Sequence, residues 1–393
     1  MADSTYTIPS RISGLQRLAL VVGVVGLGLC VVGFLGDREH FFRAWLMSYM
    51  VWFGVALGSM AWLMIQYLSG GAWGVVTRRI FEASSRTLPF MAVLFLPIAF
   101  GVHDLYLWSR PDVVAGDEIL RHRAPYMNLS FFYARAVIYF VIWTGMAYLL
   151  SSWSRQQDAT TDERLSIRLQ RLSGGGLVVY AITLFFASVD WVMSLDPHWF
   201  STIYGILFMG GQGLASMAFT IAMVVLLAQS EPMSRVFGPN HLHDLGKLML
   251  AFVMLWAYFQ FSQFLIIWSA NIPEEIPFYL TRVEGGWKWI STLLILGHFV
   301  LPFLLLLNRD LKRTRMLAVL AIYVIVMRFV DLFWLMGPEH GQTAVSLHWL
   351  NLVTPFAIGG VFIGLFLWQL GTRPLLPLGE PALAEAIEQG QGH

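Results

Sequence analysis

The sequence predicts an all-α, polytopic transmembrane protein of about ten helices, and three observations carry that prediction. Hydrophobic residues make up 57% of the 393 and charged residues 12%, against about 25% charged in an ordinary soluble domain. Ten apolar runs reach the ~20 residues that a bilayer-spanning helix requires. Lys and Arg are divided unevenly between the two alternating sets of connecting segments, which is the bias that orients membrane helices.

The same composition excludes other classes. A net charge of +1 offers no clustered basic face for nucleic acid. Cys30 is the only cysteine, so the chain's own thiols hold no iron–sulfur cluster, structural zinc or intrachain disulfide. No C-x-x-C-H motif is present for covalent haem.

The expected spans cover residues 15–35, 42–69, 87–108, 131–153, 174–195, 200–228, 245–270, 288–307, 314–336 and 348–370. The first contains "LGLC" before Val31, which resembles a lipoprotein box, but Leu29 stands where a small residue is needed. With no A-x-A-like site either, it reads as a membrane helix rather than a cleaved signal. Between the fourth and fifth spans, "TTDE" offers a capping box from Thr160 to Glu163. "RLSIRLQRL" then reads as a short amphipathic helix lying along the headgroups. Loops 109–130 and 271–287 are long and mixed in charge, large enough to dock a partner. The tail after Gly371 is Pro-rich and then acidic, and reads as loosely held.

One set of connections carries Arg78, Arg79, Arg86, Arg155, Arg164, Arg168, Arg171, Arg235, Arg309, Lys312, Arg313 and Arg315, with Arg11 and Arg373 on the same side. The other carries only Arg38, Arg43, Arg110, Arg121, Arg123, Arg282 and Lys288. Both termini are therefore expected in the cytoplasm. His241 and His243 fall in a cytoplasmic connection and read as solvated.

Three outward-running helices share an ending. "HDLYLWSRP" places Asp104 before Pro111, "VDWVMSLDP" places Asp190 before Pro197, and "VDLFWLMGP" places Asp331 before Pro338. Proline stops a helix because it lacks a donor. An acid one to two turns inside a helix C-terminus opposes the dipole and is costly at membrane depth. The repeated ending suggests two related four-helix bundles, 42–195 and 200–336, flanked by the first and tenth helices within one membrane domain spanning 1–393.

The polar residues expected near the outer face are His103, Asp104, Arg135, Asp190, Arg328, Asp331 and His348, with His298 near the middle of the eighth helix. Arg328 and Asp331 are three apart and share a helical face. Such groups pair with one another or line a wet cavity, so two roles stand side by side. One is a salt-bridged interior. The other is a proton relay or a pocket for a polar-headed ligand, with Asp190 as the first candidate. Asp196 and His198 sit at the water boundary and read as loop caps. A b-type haem would need facing axial histidines; His103, His298 and His348 are the candidates, the first and last at similar depth. The 16 Trp and 29 Phe read as interfacial belt and packing residues, and would also suit the flanks of a flat quinone ring.

Ser188–Gly205, "SVDWVMSLDPHWFSTIYG", resembles the signature of the quinone-site-like membrane subunits of alternative complex III, of the ActF type. These belong with the NrfD/PsrC-type membrane anchors of polysulfide reductase. "FSQFLIIWSANIPEE" (Phe261–Glu275) and "GGWKWI" (Gly285–Ile290) are similar as well. The resemblance implies two four-helix bundles with peripheral helices in the bacterial inner membrane. It implies a respiratory assembly that oxidises quinol and passes electrons to cytochrome c or a similar carrier. Haem c and iron–sulfur centres would reside in partner subunits, beside a homologous membrane subunit. The polar site would lie toward the periplasmic face, with the acid role on Asp190 and also on Asp104 and Asp331. On this reading the chain is not catalytic alone and is quinone-site-like, proton-conducting, or both. A stand-alone secondary transporter, which repeats and buried charges also suit, and a purely structural anchor are the alternatives.

Overall fold

Small residues build the centre of the molecule. The second span carries Gly54 and Gly58, one helical turn apart, and both face Gln212 of the sixth. A Cβ on Gly58 would stand 2.6 Å from the Gln212 carbonyl oxygen, so only glycine permits this approach. The close crossing brings polar groups within reach of each other. The Ser59 and Ser216 hydroxyls are 2.8 Å apart, and Trp62 donates its indole N–H to the Gly213 carbonyl at 2.9 Å.

The computed structural model describes residues 9–160, 163–338 and 344–391. Among the described residues every regular element is helical, and ten helices are long and apolar enough to cross a membrane: Ile12–Gly36, Arg38–Ser69, Ala72–Phe100, Leu129–Ala159, Arg164–Leu195, Tyr204–Leu227, Pro239–Ala270, Trp287–Leu307, Met316–Met336 and Leu350–Leu370. The chain is thus an all-α polytopic protein. The second span packs on the third and fifth, and the fourth closes the ring between them. The sixth packs on the seventh and ninth, and the eighth closes that second ring. The two four-helix groups meet where the second span crosses the sixth. The first and tenth spans flank them as a tight pair: a Cβ on Gly26 would lie 2.7 Å from the Ala357 Cα, and one on Gly360 would lie 2.5 Å from the Gly23 nitrogen. Thr354 ties the tenth span to the second, with its hydroxyl 2.7 Å from that of Ser48.

Four local expectations are corrected. The third span begins at Ala72 rather than near 87, because Ala72–Ser85 folds as a helix that buries Arg78, Arg79 and Glu82 instead of exposing them in a loop. "RLSIRLQRL" is not a separate surface helix. It forms the first turns of the continuous helix Glu163–Trp191, with Leu165 and Leu169 turned into the protein. The capping box at Thr160–Glu163 lies outside the described residues. The tail is held rather than loose: Leu375 and Leu376 are buried, and Leu383–Gln391 forms a helix packed on Ala72–Ser85 and on the start of the seventh span. That helix covers His241, which is buried in the first turn of the seventh span with Nε2 2.8 Å from the Ala386 carbonyl oxygen. His243 is half-buried in the same helix.

The central crossing makes a direct prediction. Gly58→Ala is expected to destabilise the protein by about 1–3 kcal/mol through overpacking. Gly28→Ala, where a Cβ meets nothing within 4 Å, is expected to stay within about 0.5 kcal/mol. Tryptophan fluorescence during thermal unfolding in mild detergent checks the difference.

Candidate functional site

Asp190 occupies the last turn of the helix Glu163–Trp191, where orphan carbonyls and an acid meet. The surroundings answer both. Ser194 donates to the Asp190 carbonyl at 2.6 Å, and the Tyr106 hydroxyl donates to the Trp191 carbonyl at 2.8 Å. The carboxylate takes a two-pronged guanidinium from Arg135 of the fourth span, Nε to Oδ2 at 2.8 Å and Nη2 to Oδ1 at 3.0 Å. Two phenols complete it: Tyr126 donates to Oδ1 at 3.0 Å and Tyr139 to Oδ2 at 2.9 Å. Arg135 also lies over the Tyr126 ring, 4.0 Å from its centroid. Burial, and then the Asp190 charge, push the Tyr126 hydroxyl above its ordinary value, which keeps it a donor. None of these four side chains leaves a buried polar atom unmet. The carboxylate is charge-balanced and full.

The turn that follows explains "DPHW". Asp196 Oδ1 accepts the His198 backbone N–H at 3.1 Å, the loop cap expected from the sequence. His198 Nε2 reaches Asp117 Oδ2 at 2.5 Å, and Arg123 donates to the Pro197 carbonyl. Trp199 stacks on Phe278 at 4.3 Å. One short turn therefore clasps both outer loops.

The ninth span builds a different site. Arg328 and Asp331 are both buried and paired on one helical face. Gly211 of the sixth span makes room for the guanidinium, since a Cβ there would fall 2.2 Å from Arg328 Nη2. Two residues of the seventh span complete the carboxylate: Trp256 Nε1 donates at 3.1 Å and Gln260 Nε2 at 3.3 Å. The same indole meets His298, edge to face with centroids 4.3 Å apart. His298 is fully buried, yet neither ring nitrogen has a hydrogen-bond partner. The Gln263 amide and the Tyr279 hydroxyl face each other.

The backbone around His298 is also unusual. Pro302 has no N–H to bond the carbonyl a turn earlier. The helix widens to π geometry over Leu294–Val300, with Leu301 N–H bonding the Leu296 carbonyl, and the Tyr323 hydroxyl donates to the Gly297 carbonyl at 3.0 Å. Single π turns of this kind often mark functional positions. Each unmet buried polar group costs about 1–3 kcal/mol unless water or a ligand satisfies it. The two open nitrogens of the His298 ring present a donor and an acceptor suited to a hydroxyl or carbonyl.

The remaining expected residues stand apart. Pro97 and Gly101 interrupt the third span, so Asp104 falls in the separate short helix Val102–Leu105. It is not deep: its side chain is 24% exposed and bonds Arg38, itself 57% exposed, at 2.9 Å. His103 is exposed and does not join Asp190; its backbone carbonyl accepts from Arg110 at 2.8 Å. His348 is half-buried and stacks on His40 at 4.7 Å rather than facing His103.

Sequence reasoning missed a third ionic cluster at the Arg-rich end of the bundle. Glu82 binds Arg79 at 2.6 Å and Arg373 at 3.3 Å, Arg79 also binds Asp158, and Arg78 binds Glu380 at 2.7 Å. The signal was the run "TRRIFE", which places cations and an acid three and four apart inside an apolar helix. Among the described residues, no group of three or more His, Cys, Asp or Glu is placed to share a metal ion.

Fold and interior together define a polytopic helical membrane protein with buried ion clusters. No protein-family model matches the chain, and no curated protein matches it.

Two predictions follow from this geometry. Asp190→Ala strands the Arg135 guanidinium and is expected to cost about 3–5 kcal/mol of stability; thermal unfolding or folded yield in detergent measures it. The second concerns the loop clasp. Its hydrogen bond to His198 holds the Asp117 carboxyl below its ordinary value of 3.8. A depressed carboxyl stabilises the fold above its unfolded value and loses that contribution as pH falls through its folded value. Protease sensitivity of loop 109–128 should therefore stay flat from about pH 7 to 5 and rise only below about pH 4. Asp117→Asn should remove that step.

Proposed function

We propose that the chain is an integral membrane subunit of a quinol-oxidising electron-transfer complex, quinol:cytochrome c oxidoreductase in type. Its second four-helix group holds the polar site, for quinol itself or for the protons that quinol oxidation releases. The observation that carries this reading is His298: fully buried, on a π turn, with both ring nitrogens unmet, and against the tryptophan that binds Asp331. The resemblance over Ser188–Gly205 supports the same assignment.

The chemistry divides cleanly. Oxidation of a quinol to a quinone releases two protons and two electrons. His298 is the group here with an open acceptor position for a proton, and Arg328–Asp331 is the adjacent fixed dipole. The electrons require centres of another kind, and the reading places these, haem c and iron–sulfur, in partner subunits beside a second membrane subunit of this type. It places the complex in the bacterial inner membrane with both termini of this chain in the cytoplasm. Asp190 serves as a structural lock for the first group.

Purification of the tagged protein from its native membrane in mild detergent tests the assignment. Haem c absorption with several co-purifying chains is expected; a colourless single chain overturns it. Within the purified assembly, His298→Leu is expected to lower quinol turnover ~100-fold or more, the scale of a lost acid–base group, with haem content unchanged. Wild-type turnover in an assembled variant would remove His298 from the site.

A further inference from the structure

A cleft of about 630 Å³ opens beside the third ionic cluster, at the break between Ser85 and Leu88 in the third span. The fourth span forms one wall, and the start of the tail forms its rim. Arg86, Arg155 and Arg373 all line it, and no carboxylate does. The charges around it do not balance. Among the described residues the adjoining cluster holds three carboxylates against five cations: Glu82 and Asp158 are engaged by Arg79, with Arg373 sharing Glu82, Glu380 is engaged by Arg78, and Arg86 and Arg155 are left over. Arg86 bonds only the Thr372 hydroxyl, at 3.2 Å, and neither Arg86 nor Arg155 has an ion-pair partner among the described residues. The Arg373 guanidinium is held below its ordinary value by burial and, against the pull of Glu82 and Asp158, by repulsion from Arg79 and Arg155.

The shape of the cleft adds a second constraint. Its fourth-span wall runs from Thr144 and Tyr148 to Ser151 and Arg155, along one helical face. Tyr148 is 70% exposed and its neighbours Val141 and Leu149 are exposed apolar residues, so that end is continuous with the lipid-facing surface of the bundle. Pro89 supplies the facing apolar wall. The cleft is thus cationic at one end and apolar at the other. Guanidinium groups suit phosphate because they offer paired donors with fixed geometry, and basic pockets between membrane helices take lipid headgroups.

We infer that this cleft binds an anionic phospholipid, its phosphate held between Arg86, Arg155 and Arg373 and an acyl chain lying along Thr144 and Tyr148. Arg373 also anchors the tail through Glu82 and the Ser151 carbonyl, at 2.8 Å, so the lipid would brace the junction of third span, fourth span and tail.

The test uses the full-length protein, washed free of lipid in mild detergent. Its thermal midpoint is measured while phosphatidylglycerol, phosphatidylcholine or inorganic phosphate is titrated. Phosphatidylglycerol is expected to raise the midpoint, with phosphatidylcholine and free phosphate at equal concentration giving little shift. Arg86→Gln with Arg155→Gln is expected to weaken the phosphatidylglycerol effect by about tenfold or more. Arg155→Gln alone, at an exposed position, is expected to weaken it severalfold and covers the case in which the double variant does not fold. Equal effects of the two lipids, or an unchanged response in the folded Arg155→Gln protein, overturn the inference. A full shift with inorganic phosphate alone reassigns the cleft to a soluble anion and overturns the lipid assignment.

Discussion

A charge withdrawn from water into a membrane interior must be paired or must shed its charge, because a stranded ion costs several kcal/mol. Most of what distinguishes this molecule follows from that constraint. Asp190 draws a guanidinium from the fourth span and phenols from two positions of the chain, and so ties the fourth span to the fifth. Asp331 draws its donors from the seventh and ninth spans. Glu82 draws Arg79 and Arg373, and thereby folds the C-terminal tail back onto the bundle. Apolar contact alone cannot order helices in lipid, where the surroundings are as apolar as the side chains. Here glycine crossings set how closely the spans approach, and ion clusters set which spans neighbour each other.

The two four-helix groups resolve the constraint differently. The Asp190 carboxylate has its acceptor positions filled by four donor bonds, and the turn after it is clasped by both outer loops through Asp117, Arg123 and Phe278. Such a site resists change. Around Asp331 the ion pair is met, but both nitrogens of the neighbouring His298 ring are unused in a buried setting. A stable fold tolerates this where a molecule or ordered water completes the bonding. The contrast between the filled Asp190 carboxylate and the open His298 ring is the physical reason for placing chemistry at His298 and structure at Asp190.

The spans themselves were readable because length and apolar composition are local properties. The Asp–Pro endings were readable too, as breaches of what helix termini favour, and they led to both buried acids in the fifth and ninth spans. Asp104 misled because the sequence pattern does not register that Pro97 and Gly101 break the helix before it and carry it to the surface. Arg78 and Arg79 looked like loop cations because their partners Asp158 and Glu380 lie far along the chain. The tail looked loose for the same reason: Leu375, Leu376 and Ala386 become core only against helices from elsewhere. His298 was visible as an isolated polar residue, but its tryptophan neighbour and its empty bonding positions belong to the three-dimensional arrangement. Charge pairing over long separations was the part of the site that a one-dimensional pattern could not carry.

The most direct measurement is a cryo-electron microscopy map of the protein in its native assembly, at a resolution that reveals ordered water. The account requires density for water or a ligand headgroup within hydrogen-bond distance of the His298 nitrogens. It also requires none between Asp190 and its four donor bonds. A dry His298 beside a hydrated Asp190 would contradict it.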